Sequence, residues 1–294
     1  VKSWAPLVGA VNGRADAFRQ RLVATEPVHL EAVVEFAGRA WRRPLTAAEE
    51  QGLRGLYRQL RDSEISHEEA ARLVIARVLP SPAFLYRKEH PAPGDKAAPV
   101  SGRELANRLS YFLWSSMPDA ELRRAALAGK LTEEKELVEQ ARRMLDDPRT
   151  RRLAIQFACQ WLHLRDFDQN DDKNEKLYPG FRKLRGEMYE ETVRFFEDMF
   201  RRDGSILDLL DADHTFVNGA LAGHYGIDGI SDDQWQRVDG MKQKSRGGVL
   251  GMATMLSKQS GATRTSPVLR GFWVVETLLG EELPDPPATV PELP

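Results

Sequence analysis

Apolar positions recur at three- and four-residue intervals through most of the 294-residue chain, with polar side chains between them. After Ser66 they fall at Ala70, Leu73, Val74 and Val78, and after Ser101 at Leu105, Leu109, Phe112 and Leu113. This spacing lays one apolar stripe along each of a series of helices. Helix starts are marked as clearly. Thr46 and Glu49, Ser66 and Glu69, and Ser101 and Glu104 each have the spacing of a capping box, in which the hydroxyl accepts from a free backbone N–H and the carboxylate answers back. Pro118, Pro148 and Pro267 stand where a first helical residue tolerates proline, and Gly129 is placed to end the helix before it. Helices are therefore predicted near 27–41, 46–62, 66–79, 101–115, 118–128, 132–146, 148–164, 182–203, 205–211, 218–225, 246–257 and 267–279. No segment alternates apolar and polar residues with β-branched enrichment, so no substantial sheet is expected. The predicted fold class is all-α: a multi-helix bundle of at least nine helices with an extended Pro-rich C-terminal tail.

Breaks in the pattern suggest an organisation. The stretch from Glu89 to Val100 is rich in Pro and Gly and reads as a linker. We expect an N-terminal helical bundle over 1–88, a linker over 89–100, a central helical domain over 101–245, and a C-terminal helical module with its tail over 246–294. The chain opens at Val1 without an initiator methionine and stops inside the tail, so both ends are expected to lie within a longer polypeptide.

Composition narrows the function classes. Hydrophobic residues make up 41% and charged residues 29%, enough apolar side chain for a sizeable core. A formal net charge of −2 lacks the concentrated basic field that nucleic acid demands, so no nucleic-acid partner is expected. No apolar run approaches the roughly 20 residues of a membrane span; the stretch from Val268 to Leu279 is broken by Arg270, Gly271 and Glu276. The single cysteine, Cys159, excludes an internal disulfide and the Cys-x-x-Cys-His attachment of c-type haem. In its apolar setting it reads as a small core residue.

Few residues offer chemistry. Asp166, Asp168, Asn170 and Asp172 alternate like the oxygen ligands of a calcium loop. Asp171 and Leu177 then occupy the positions where such a loop needs its glycine and its bidentate glutamate, so no metal site is expected there. His224 and Asp213, which flank the short helix capped by Asn218, are candidate catalytic residues together with Glu190. Glu190 shares a helix with Glu187, Glu191 and Glu197, where arginines at one-turn spacing make a solvated, ion-paired face the simpler reading. Arg264, Ser266 and Arg270 surround the start of a helix opened by Ser-Pro. They could hold an anion, or clamp the C-terminal helix and tail. Gly247-Gly248-Val249-Leu250-Gly251 has only a superficial likeness to a nucleotide-binding turn, since no strand precedes it.

Four stretches, in order, carry a family resemblance. They are Phe36-Ala37-Gly38-Arg39-Ala40-Trp41-Arg42-Arg43-Pro44; Leu105-Ala106-Asn107-Arg108-Leu109-Ser110-Tyr111-Phe112-Leu113-Trp114; Leu209-Leu210-Asp211-Ala212-Asp213-His214-Thr215-Phe216-Val217-Asn218 with His224-Tyr225-Gly226; and Arg246-Gly247-Gly248-Val249-Leu250 with Arg264-Thr265-Ser266-Pro267-Val268-Leu269-Arg270-Gly271. Over roughly Val33 to Pro291 the chain resembles the consecutive domains of unknown function that follow a c-type cytochrome domain in large exported proteins of planctomycetes and related bacteria. His214 departs from the pattern, which has an aromatic residue there. The resemblance transfers no catalytic residue. It implies no cofactor within this chain, haem c in a neighbouring domain, and a periplasmic, cell-envelope or secreted location. The partner it implies is a cytochrome c domain of the same polypeptide or another envelope protein. The expected function is a helical recognition or scaffolding module; the alternative is the catalytic part of a haem-coupled redox enzyme acting on a polymer or carbohydrate.

Overall fold

The computed structural model describes residues 5–87, 89, 99–169 and 172–284, so most of the linker at 89–100, Asn170 and the end of the tail lie outside the described residues. Apart from one two-stranded antiparallel sheet, the described fold is helical, as the apolar spacing predicts. Its contacts group into two compact units: Val1–Tyr111 with Ser116–Leu137, and Phe112–Ser115 with Val138–Pro294.

In the first unit, α1 (Ala5–Ala40), α2 (Ala47–Asp62) and α3 (His67–Val78) pack around Val33, Ala37, Leu53, Tyr57, Val74 and Val78. α1 begins far earlier than the sequence pattern indicates and carries Pro27 inside it. The pattern misses this stretch because its apolar residues meet no partner: Val11, Phe18 and Leu22 are all exposed. Thr46 and Glu49 form the complete capping box, and Ser101 and Glu104 do the same before α5 (Gly102–Trp114). Arg42 turns the chain after α1 with a positive φ of 57°. Its buried guanidinium donates to the carbonyls of Ala83, Phe84 and Tyr86, holding the residues of and just after α4 (Pro82–Leu85). Asp119 caps α6 (Ala120–Leu127), so Pro118 lies just before the cap and not at the first helical position that the sequence suggests. The polypeptide continues through α7 (Glu134–Asp146).

The second unit is built on the long helix α10 (Phe181–Arg201), whose Met188, Phe195, Phe196 and Met199 face the larger core. Before it, α8 (Arg151–Leu153) and α9 (Cys159–Trp161) are joined by a π-helical turn over Ala154–Ala158. After it come α11 (Asp208–Asp211), β1 (His214–Val217), α12 (Gly219–Tyr225), β2 (Gln236–Asp239), α13 (Gly248–Gly251), α14 (Ala253–Lys258) and α15 (Pro267–Trp273). β1 and β2 pair antiparallel, His214 opposite Asp239. The glycine pair Gly247-Gly248 at the start of α13 has a steric purpose. Gly248 has a φ of 62°, and a Cβ there would stand 2.6 Å from the Leu209 and Leu210 carbonyl oxygens. The pair lets the backbone lie against α11, a packing role rather than a phosphate-binding one.

Trp114 anchors the start of this unit. It is fully buried, donates to the Met144 carbonyl at 2.9 Å, and lies under the Arg149 guanidinium at 3.4 Å. Arg149 is itself fixed by both Asp147 oxygens at 2.8 and 2.7 Å, and that pairing holds the Asp147 carboxyl down at about 2. Cys159 is completely buried, and burial pushes its thiol up to about 11. Only about one thiol in a thousand is then ionised at pH 8. A disulfide-exchange reagent at pH 8 is expected to leave the native protein unlabelled and to label one thiol in guanidinium; rapid native labelling would place Cys159 in an accessible setting.

Candidate functional site

Side chains from four segments of the second unit enclose a cleft of about 330 Å³. α10 supplies Phe181, Leu184 and Met188, and α14 supplies Leu256 and Ser257. His224, on the last turn of α12, enters from one side. The rim is a clasp between two loops. Asn174 N–H donates to the Ala262 carbonyl at 2.9 Å, Lys173 Nζ to the Ser260 carbonyl at 3.0 Å, and the Tyr178 hydroxyl to the Thr263 carbonyl at 3.4 Å. A one-residue bridge between Ser260 and Thr265 closes the second loop.

The polar capacity of the cleft is small. The Lys173 ammonium is committed to Ser260 and to Asp172 at 3.2 Å, and its side chain is only 5% exposed. Ser260 donates to its own helix at Leu256. Among the described residues the His224 ring makes no hydrogen bond; it lies tilted against Tyr225 with centroids 5.6 Å apart. Burial, and then the charge of Arg246, lower the His224 pKa. The imidazole is therefore neutral at pH 7, with one donor and one acceptor nitrogen. Among the described residues no carboxylate lines the cleft.

One helical face away, the second unit buries an acid. Glu191 is 1% exposed, accepting from the Thr215 hydroxyl at 2.5 Å and the Tyr225 hydroxyl at 2.6 Å. The Tyr225 oxygen in turn accepts from the Ala253 N–H at 2.9 Å. Burial raises the Glu191 carboxyl to about 7, against the opposing pull of those two donors and Arg246. Burial and the adjacent carboxyl hold the Tyr225 phenol far above its ordinary range. This group ties α10, β1, α12 and the start of α14 together, and none of its atoms opens to the cleft.

The residues singled out in the sequence are dispersed. His224 lines the cleft, joined there by Lys173 and Thr265, the neighbours of Asp172 and of Arg264 and Ser266. Glu190 does not: Arg151 and Arg194 hold it at 2.5 and 2.7 Å on an ion-paired face that also includes Glu197. Asp213 caps a turn instead, accepting from the Lys242 N–H at 2.7 Å. Ser266 caps α15 through the Leu269 N–H. Arg264 and Arg270 have no ion-pair partner among the described residues, and Arg270 Nε is buried without an acceptor. Asp166 and Asp168 line a separate polar depression with Gln156, Gln160 and Tyr189 beside the π turn. Among the described residues no three His, Cys, Asp or Glu side chains stand where they could share a metal ion. His214 fills an aromatic slot, tilted on Phe195 at 5.4 Å and edge-on to Phe216 at 6.1 Å.

Two groupings are missed by reading the sequence. Glu191 lies on the same stripe as Met188 and Phe195, and a charged residue in that phase was the available signal. His29 and His67, 38 residues apart, meet with ring nitrogens at 2.9 Å, and His67 reaches the Tyr57 hydroxyl at 2.7 Å. No local spacing announces that pair.

Three families of unknown function match successive parts of the chain: PSD5 (DUF1595) over 28–89, PSD4 (DUF1592) over 100–227 and PSCyt3 (DUF1588) over 246–294. No curated protein and no solved structure matches it. The chain thus carries, in order, the PSD5, PSD4 and PSCyt3 domains of unknown function of the planctomycete type.

Proposed function

We propose that this chain is a helical recognition module of an exported, cytochrome-linked protein, and that the cleft beneath the Lys173 clasp receives an apolar side chain of its partner. The observation supporting this reading is the cleft's composition: apolar walls, one neutral histidine and no carboxylate. A nucleophile is activated by a base within hydrogen-bond reach, and that base is in turn oriented by a third group; among the described residues the His224 ring has no such partner. Two acids of α10 are committed elsewhere, Glu190 to arginines and Glu191 to a sealed network. A concave, mostly apolar surface with a few fixed polar groups suits binding. The partner implied is the c-type cytochrome domain of the same polypeptide or another envelope protein. The polar depression beside the π turn, where Asp166, Asp168 and Gln160 converge, favours the alternative of a haem-coupled enzyme acting on a carbohydrate.

The test is a calorimetric titration of the chain with the separately produced haem-bearing domain. Leu256→Glu is expected to weaken the complex at least tenfold, or ~1.4 kcal/mol, with Asp168→Ala unchanged. If Leu256→Glu binds like the wild type, the cleft is not the contact surface. Loss through Asp168→Ala instead would move the site to the polar depression.

A further inference from the structure

The first unit contains a cleft of about 590 Å³, larger than the one described above and separate from it. We infer that it binds a small organic carboxylate with an aliphatic body. Its volume is within the range of small-molecule pockets, about 300–1,000 Å³. The inference rests on a charge imbalance in its walls. Five arginines and three glutamates line it. The glutamates are already held, with Arg54 shared between two of them: it reaches Glu31 at 2.6 Å and Glu50 at 2.8 Å, and Arg39 lies 3.6 Å from Glu35, so that with Arg54 and Glu49 counted the walls keep a net charge of +2. Arg43 is matched by Glu49 through two bonds of 2.8 and 2.7 Å.

Three guanidiniums remain without a carboxylate. Arg42 is 8% exposed and spends its donors on carbonyls and on the Tyr111 hydroxyl, so its charge is satisfied in hydrogen bonds but not neutralised. Arg123 reaches only the Pro118 carbonyl, at 2.6 Å. Arg103 has no hydrogen bond or ion pair among the described residues. Arg42 is buried and Arg123 half-buried, and cations so placed are ordinarily paired, with a field strongest where water is thinned out; Arg103 is exposed. An anion entering here would meet a preset positive field and at least one free planar fork suited to two carboxylate oxygens.

The rest of the lining defines the body of the ligand. Val34, Pro44, Leu45, Ala126 and Leu127 are aliphatic, and among the described residues no aromatic ring lines the cleft. That excludes the stacking platform that a planar base or a sugar face favours, and suits a flexible methylene chain.

The experiment is isothermal titration of the 294-residue chain with octanoate, n-octanol and inorganic phosphate at low salt. Octanoate is expected to bind, with octanol and phosphate each at least tenfold weaker, because one lacks the charge and the other the body. Arg103→Gln combined with Arg123→Gln should weaken octanoate at least tenfold while leaving the far-ultraviolet circular dichroism unchanged. Leu127→Glu changes a side chain that is 65% exposed, so it leaves the core intact; it should abolish binding by placing a carboxylate at the mouth. The inference is overturned if octanoate gives no heat at millimolar concentration, if phosphate binds as tightly as octanoate, or if Leu127→Glu binds octanoate like the wild type.

Discussion

Trp114→Ala is expected to destabilise the second unit by ~3–5 kcal/mol, the range for deleting a fully buried large aromatic residue. Two further losses push toward the upper end. The Arg149 guanidinium loses the ring it covers at 3.4 Å, and Arg143 loses its own more distant contact at 5.7 Å. One expected loss does not occur. The Met144 carbonyl keeps a donor, since the Thr150 hydroxyl also reaches it at 2.9 Å. Trp114→Phe, which keeps most of the volume but drops the indole N–H, should therefore recover most of the deficit. Thermal melts would read the alanine variant as a fall of at least about 6 °C. If Trp114→Ala melts within a degree of the wild type, the residue is not the anchor of this unit.

The stability of Glu191→Gln relative to the wild type is expected to change by about 3 kcal/mol between pH 5 and pH 8. The carboxyl titrates near 4.5 when the chain is unfolded and at about 7 when it is buried. Between those values the folded protein holds a proton that the unfolded chain has lost. A carboxyl raised in this way contributes stability fully below about 4.5, and that contribution disappears as pH rises through 7. The gap, at ~1.36 kcal/mol for each pH unit, gives the figure of about 3 kcal/mol. Glutamine keeps the shape and cannot ionise, so the wild type should lose ground to it steadily over that interval. Glu49 and Asp147 titrate at about 2 in the folded protein and cancel in the comparison, because their contributions are lost at far lower pH. Urea midpoints at pH 5, 6, 7 and 8 decide the matter: a constant difference would mean that Glu191 does not carry its proton into the folded state.

The legible features of this fold are those with a local cause. The boxes at Thr46 and Ser101 close within four residues, so their spacing alone identifies them. Ser266 and Pro267 open α15 by the same logic. Features set by distant partners escape such reading. The helix predicted from position 27 begins at Ala5 instead and runs on through Pro27. The π turn at Ala154–Ala158 is read as plain helix, since one wider turn leaves the apolar spacing nearly unaltered. In the site, His224 stands out by its residue type, but its neutrality depends on burial and on Arg246, 22 positions further along. Lys173 adjoins the acidic loop in sequence, yet its ammonium bonds a carbonyl 87 residues away.

That last bond sets the order in which the second unit can be assembled. The clasp joins two loops separated by all of α10, the hairpin of β1 and β2, and α14. Its three contacts hold nothing until those elements have docked, because closing so long a segment costs entropy that a few hydrogen bonds at its ends cannot offset. The cleft is accordingly a late product of folding, completed when the two loops meet. Its occupancy by any ligand would report that the whole unit had reached its native arrangement, and an unfinished chain would present no cleft to bind.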